Sequence, residues 1–284
     1  MKKYLVTISI PTYNSARTLE LCLAAVNAQT YRNIEINIVD KYSKDETIKI
    51  ARKYQAKIIF IEGSLLQARY QGAKEARGEF VLLLDSDQIL EKDAIERALD
   101  LMNREKHSML AFEETTYRKT TFLELLFNLD RKLINNINDL NPFTGVIMPR
   151  FFIRNLLLRA YEKIPKEIFP HTGGPDHAIV YFEAWKIDKR VGVLPRAVKH
   201  LEPASFGQLI PKFFRWGYTG VNAKYGKYHN LMAKKERFRT GMFKKGLILE
   251  SIASMTLLVI KGIPYKIGYL LGRVDKALGI NRYK

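Results

Sequence analysis

The first hundred residues alternate between short β-branched or apolar runs and longer stretches whose apolar positions recur at helical spacing. Segments 4–10, 34–39, 57–61 and 80–84 read as strands, and 16–28, 44–54, 65–76 and 92–103 as the helices that follow them. Such alternation indicates a parallel sheet with helices on both faces. Right-handed crossovers then bring the loops at the carboxyl ends of the strands together. The run at 80–84, "FVLLL", has no polar interruption, as expected of a strand buried on both faces. Beyond residue 105 the strict alternation lapses. The pattern there predicts a strand at 108–112, a helix at 121–134, a short strand at 145–148, a helix at 151–161, a helix from about Asp176 and a strand at 191–194.

Charge divides the chain more sharply than hydropathy does. Of the net +18 over 284 residues, the segment 203–284 carries 16 Lys and Arg against 3 Asp and Glu. An anionic partner is therefore expected to meet the C-terminal part. Segment 246–260, "GLILESIASMTLLVI", is apolar but contains Glu250 and is shorter than the roughly 20 residues of a bilayer span. Lys261, Gly262 and Pro264 are expected to break it from the following "IGYLLG". Two short amphipathic helices at a membrane interface, or a helical subdomain or dimer contact, both accommodate that pattern. Aromatic residues mixed with bases at 212–239 suit lipid headgroups; nucleic acid shares that signature, but an acidic cleft disfavours it. The single cysteine, Cys22, excludes an internal disulfide and suits a reducing compartment. The N-terminal apolar stretch is seven residues long, alternates with Thr and Ser, and ends at Pro11, so it reads as a first strand and not a signal peptide.

The chemistry gathers at the predicted strand ends. The first strand runs into "PTYN", the second into Asp40, the third into Glu62-Gly63 and the fourth into "DSD", Asp85 to Asp87. Neither GxGxxG nor GxxxxGK[ST] occurs, so phosphate would have to be met by a metal and by Arg or Lys side chains. That favours a cation at the Asp85/Asp87 pair over a simple loop cap. Asp176, in "GGPDHA", lies in the first turn of its helix, where dipole capping and a catalytic role are both open.

In this order and spacing the motifs resemble those of a family 2 glycosyltransferase of the GT-A fold, over residues 4–205. The resemblance implies an α/β fold with a mainly parallel central sheet flanked by helices and a C-terminal helical appendage. It implies a catalytic domain at 1–205, with a nucleotide-binding half (1–104) and an acceptor half (105–205), and leaves 206–284 as a basic, amphipathic, membrane-associating region. "SIPTYN" resembles the segment that contacts the nucleotide, implying donor contacts from Pro11, Thr12 and Tyr13. "IVDKYSKDET" resembles the second-strand motif, implying that Asp40 reads the base, with Arg69 a further donor contact. "DSD" resembles the metal motif: Asp87 as direct ligand to Mn2+ or Mg2+, Asp85 bonding ribose or metal, and His200 near the ion. Asp176 stands in the place of the catalytic base of an inverting transferase. "KFFRW" resembles the QxxRW of processive synthases, pointing to Lys212, Arg215 and Trp216 as acceptor or phosphate contacts.

Lys41, Tyr70, Pro175 and Lys212 depart from the family's commoner residues. The expected activity is transfer of a sugar from a UDP- or GDP-sugar to a hydroxyl or phosphate of a lipid-linked or glycan acceptor, a polyprenyl-phosphate sugar synthase being the alternative within the family. The expected location is peripheral, on the cytoplasmic face of a membrane, without nucleic acid as a partner. A haloacid-dehalogenase-like phosphatase would share "LLLDSD" but leave the other strand-end motifs idle. A nucleotidyltransferase lacks its Gly-rich loop here, and a non-catalytic membrane-bound sugar-nucleotide binder would keep the same acids.

Overall fold

A computed structural model describes residues 3–221, 226–231 and 246–280. In chain order the elements are β1 (Val6–Thr12), α1 (Ala16–Asn27), β2 (Ile34–Asp40), α2 (Thr47–Lys53), β3 (Lys57–Phe60), α3 (Leu65–Lys74), β4 (Phe80–Leu83), β5 (Gln88–Leu90), α4 (Ala94–Glu105), β6 (Met109–Thr116), α5 (Phe122–Ile137), β7 (Pro149–Ile153), α6 (Arg154–Glu162), α7 (Asp176–Ile187), β8 (Val191–His200), α8 (Phe206–Gly220) and α9 (Ile248–Ala277). The strands form one eight-stranded sheet in the order β3-β2-β1-β4-β7-β6-β8-β5. The first four in that order are mutually parallel, as the alternation predicts; β7 and β5 enter antiparallel, so the whole sheet is mixed.

Two apolar layers cover the sheet. One face packs Leu19, Leu23, Ile95 and Leu99 of α1 and α4 against Ile8, Ile10 and Leu82. The other packs Leu66, Leu157, Ile179 and Tyr181 of α3, α6 and α7 against Val81 and Leu83. Leu82 and Leu83 thus face opposite layers, which is why the "FVLLL" run is apolar without alternation.

Two predicted elements change and one is added. The segment 145–148 is not a strand, and 149–153 is β7, so the helix expected from 151 begins at Arg154. Phe151 and Phe152 enter opposite apolar layers because β7 lies between β4 and β6. Periodicity alone does not separate an apolar strand that leads directly into a helix from the helix itself. The short β5 was not predicted; it pairs with β8 so that Gln88 lies opposite His200.

The largest correction is in the tail, where the two expected segments form one 30-residue helix through Pro264. Packing along its length compensates for the proline. Leu257 and Ala253 meet Leu123, Leu126 and Phe127 of α5, together with Leu209 of α8. Further on, α9 crosses α8 backbone to backbone. A β-carbon on Gly268 would lie 2.1 Å from the Phe214 carbonyl oxygen, and one on Gly217 would lie 1.9 Å from that of Tyr265. The segment "GYLLG" is thus used for an internal helix crossing. Two buried hydrogen bonds fix the register: Ser254 Oγ donates to Asp130 of α5 (2.6 Å), and Tyr218 of α8 donates to Asp275 (3.0 Å).

Replacing Gly268 by Leu should force α8 and α9 apart and destabilise the protein by about 1–3 kcal/mol, the usual cost of overpacking. Gly262→Ala, where an added methyl meets nothing within 4 Å, should be neutral or slightly stabilising. Thermal unfolding of the two variants side by side checks this.

Candidate active site

A cavity of about 490 Å³ opens beyond the carboxyl ends of β1 and β4. Nine of the twelve residues singled out from sequence line it: Pro11, Arg69, Asp85, Asp87, Asp176, His200, Lys212, Arg215 and Trp216. They come from six separate parts of the chain. β4 delivers Asp85 and Asp87, α7 begins at Asp176 after a Gly173-Gly174 turn, and β8 ends at His200.

The organising group is Arg69 of α3, only 1% exposed. Its Nη2 donates to Asp85 Oδ1 (2.5 Å) and its Nε to Asp176 Oδ2 (2.5 Å), while Nη1 is buried with no partner among the described residues. Asp85 is also held by Arg150 of β7 (2.9 Å). Burial opposes its ionisation, but Arg69 and Arg150 outweigh that and hold its carboxyl well below the usual range. Asp176 responds in the opposite sense. Burial dominates, Arg69 offsets only part of it, and the neighbouring Asp85 charge adds to it, so its pKa is raised.

The pairing continues along the wall. Arg150 bonds Glu114 (3.1 Å) and donates to His177 Nε2 (2.8 Å). Burial, Arg69 and Arg150 together push the pKa of His177 well down, so it is neutral. Arg131 of α5 bridges Glu114 (2.6 Å) and Glu202 (2.8 Å). Glu202 then faces His200 Nδ1 at 3.3 Å, and His200 Nε2 stands 3.6 Å from Asp87 Oδ1. Burial disfavours the imidazolium, yet Asp87 and Glu202 prevail and raise the His200 pKa. Lys212 of α8 lies 3.7 Å from Asp87 Oδ2 and over the Trp216 ring.

Among the described residues no three His, Cys, Asp or Glu side chains converge as a ligand set. Asp85, expected to bond ribose or the ion, is engaged by two arginines. Asp87 and His200 remain as two donors, with the Glu202 carboxylate 3.3 Å behind the His200 ring. That set fits Mg2+ or Mn2+, which take one or two protein carboxylates and fill the rest of the shell with water and phosphate oxygens.

Thr12, Tyr13 and Asp40 do not line this cavity. Asp40 is buried and accepts from Thr12 Oγ1 (2.7 Å), Ser43 N (2.7 Å) and Ser43 Oγ (2.6 Å), closing the loop after β2. Tyr13 is 52% exposed beside Lys41, and Tyr42 stacks on Phe60, so this flank presents aromatic faces to solvent. Sequence reasoning missed Glu114, Arg131, Arg150, His177 and Glu202. Of these, Glu202, two residues from His200, and His177, next to Asp176 in "GGPDHA", carried a local signal; the others stand in ordinary helix and strand patterns.

Arg69→Met should leave Asp85 and Asp176 without their shared counter-ion and cost about 3–5 kcal/mol at neutral pH. Because Asp85 is depressed in the folded wild type, its pairing contributes above its unfolded pKa and is lost as pH falls through the folded one. The stability gap between variant and wild type should therefore narrow as pH falls through the carboxylate range, as denaturant unfolding at several pH values would show.

Residues 7–157 match the model of glycosyl transferase family 2. A cholesterol galactosyltransferase of Borreliella burgdorferi is 36% identical over 173 residues, 59% of this chain and 45% of that protein. The chain spans about a third of the length of the uncharacterised Rickettsia glycosyltransferases it matches. Among solved structures, the mannosyltransferase PcManGT of Pyrobaculum calidifontis in complex with GDP-Man and Mn2+ superposes with a TM-score of 0.59, at 16% identity over 97% of this chain and 87% of that one. TarS 1-349 of S. aureus in complex with UDP-GlcNAc superposes with a TM-score of 0.57, at 17% identity over 98% and 93%. At these identities the structural likeness is one of fold, and the fold is GT-A. With the family model covering more than half of its length, the chain belongs to glycosyl transferase family 2.

Proposed function

We propose that the protein transfers a sugar from a nucleotide-sugar donor, a UDP- or GDP-sugar, to a hydroxyl or phosphate of a lipid-borne acceptor, with inversion at the anomeric carbon. The observation that carries this reading is the convergence of Asp85, Asp87 and Asp176 on one cavity, with Arg69 joining two of them. The donor class is supported by the GDP-Man and UDP-GlcNAc complexes of proteins with this fold. The lipid acceptor is supported by the name of the Borreliella relative and by the basic, apolar tail beside the cavity.

Asp176 acts as general base. Arg69 bonds it through Oδ2, leaving Oδ1 to take the acceptor's proton as its oxygen attacks the anomeric carbon. A pKa raised by burial brings the base closer to the pH at which it works. Arg69 keeps Asp85 ionised, and its Nη1, which has no partner among the described residues, is left for a donor oxygen. Asp87 and His200 would hold Mn2+ or Mg2+, which when bound neutralises charge building on the leaving diphosphate. Lys212 and Arg215 add fixed positive charge at the same wall, and Trp216 offers an apolar face. Pro11 and the exposed Tyr13 offer the flank for the base and ribose, on a loop that the Thr12–Asp40 hydrogen bond holds in place. On this reading residues 1–205 are the catalytic unit, completed by α8, and 206–284 hold the protein to the cytoplasmic face of a membrane.

Asp176→Asn should retain donor binding and lose transfer by roughly 10²–10⁴-fold, because proton removal is needed only for acceptor attack. Calorimetric donor binding and single-turnover assays separate the two, and a product retaining the donor's anomeric configuration would refute a single displacement.

Asp87→Asn should abolish Mn2+-dependent donor binding while circular dichroism shows the fold unchanged. Donor binding that is as tight in EDTA as with Mn2+ would remove the metal from the reading.

A further inference from the structure

The tail helix α9 carries two opposite stripes along its whole length. Ser251, Ser254, Leu257, Pro264, Gly272 and Asp275 are buried and face α5 and α8. Ile248, Ile252, Val259, Ile263, Leu270 and Val274 recur at multiples of three and four on the other side and are exposed, Ile248 by 70%, Ile263 by 56% and Leu270 by 61%. Thirty residues make this stripe about 45 Å long. The exposed Lys266 and Arg273 run along one edge of it. An exposed apolar band of this length on a soluble surface marks an interaction face.

We infer that α9 lies flat in the interface of an anionic lipid membrane, with this stripe in the acyl boundary and α8 between it and the cavity. By length and composition α9 could also cross a bilayer. Its inner stripe argues against that. Spanning would carry with α9 the helices bonded to it, bringing Asp130, Arg131 and Lys132 of α5 and Lys212 and Arg215 of α8 into hydrocarbon, or would break the Ser254–Asp130 and Tyr218–Asp275 bonds and the glycine crossing. A flat helix keeps all of these and still buries the outer stripe, while Lys and Arg at its edge reach phosphate headgroups. The segment 203–284, with 16 basic against 3 acidic residues, matches an anionic surface and disfavours a second copy of itself in that place.

One consequence concerns the acceptor, and only this consequence rests on the proposed transfer reaction. Helix α8 meets α9 through Gly217 and lines the cavity with Lys212, Arg215 and Trp216. The cavity wall therefore stands one helix diameter, about 10 Å, from the lipid-facing helix. A lipid headgroup would reach Lys212 and Arg215 along the membrane surface without leaving the interface.

The native Cys22 is buried and its thiol pKa is pushed up by burial, so added cysteines can be labelled selectively. Nitroxide labels at Ile252→Cys, Ile263→Cys and Val274→Cys in the full chain would be read by oxygen and nickel-chelate accessibility, with and without vesicles of phosphatidylglycerol and phosphatidylcholine. Equal, shallow depths at all three positions, with Lys49→Cys remaining in water, are expected. Depths that pass from one leaflet through the bilayer centre to the other would overturn the inference in favour of a span. Spin–spin broadening between copies, unchanged by vesicles, would overturn it in favour of a dimer. Ile252→Asp with Val274→Asp should weaken vesicle binding at least tenfold, and undiminished binding would also count against it. None of these readouts needs turnover, so an inactive protein with three shallow labels would leave the membrane face standing and remove the proposed reaction.

Discussion

Burying a guanidinium is tolerable only when its charge is met, and Arg69 meets that condition with two carboxylates from different parts of the chain, bonded through Nη2 and Nε. Asp85 comes from the end of β4 and Asp176 from the start of α7, 107 residues from Arg69 in sequence. The ion triad thereby ties a helix of the parallel half to the loop and helix that close the other side of the cavity. Its electrostatic effect is unequal. One carboxyl is held ionised by two arginines, while the other, more dominated by desolvation, is held closer to protonation. Two acids of the same type are thus set apart by environment, as general acid–base chemistry requires.

The rest of the wall repeats the same solution. Glu114 lies between Arg131 and Arg150, and Glu202 between Arg131 and His200. Each buried charge is shared, so moving one displaces its neighbours, and a double-mutant cycle between Arg131 and Arg150 would not be additive. The chain of pairs ends at Asp87, whose contacts with His200 and Lys212 are longer than hydrogen bonds. Asp87 is therefore the acid in the cavity least committed to the protein itself, a property that suits a ligand-binding carboxylate.

Helix α8 couples this cavity to the tail. One part of its surface lines the cavity and another meets α9 at the glycine crossing. The boundary at residue 205, which the family resemblance implies and the charge division at 203 lies beside, thus passes through a continuous packing unit: the composition changes there, but the contacts do not stop.

The sequence by itself determined the parallel half. Strand and helix periodicities are local, so β1 to β4 and the helices among them were legible to within a few residues, as were the acids at the strand ends. It also located Asp176, His200 and Lys212 as positions of interest without saying what they face. Only the tertiary structure decided partners. Asp40, marked as a base-reading acid, has its oxygens bonded to Thr12 and Ser43. Arg150, unmarked, reaches Asp85 because Phe151 and Phe152 are drawn into a central strand. Pro264, a breaker by local rules, stays helical because α5 and α8 hold both sides of it. The physical reason is common to all three. Backbone preference depends on neighbours in sequence, whereas the partner of a buried charge and the fate of a weakened helix turn depend on atoms that only folding brings within a few ångströms.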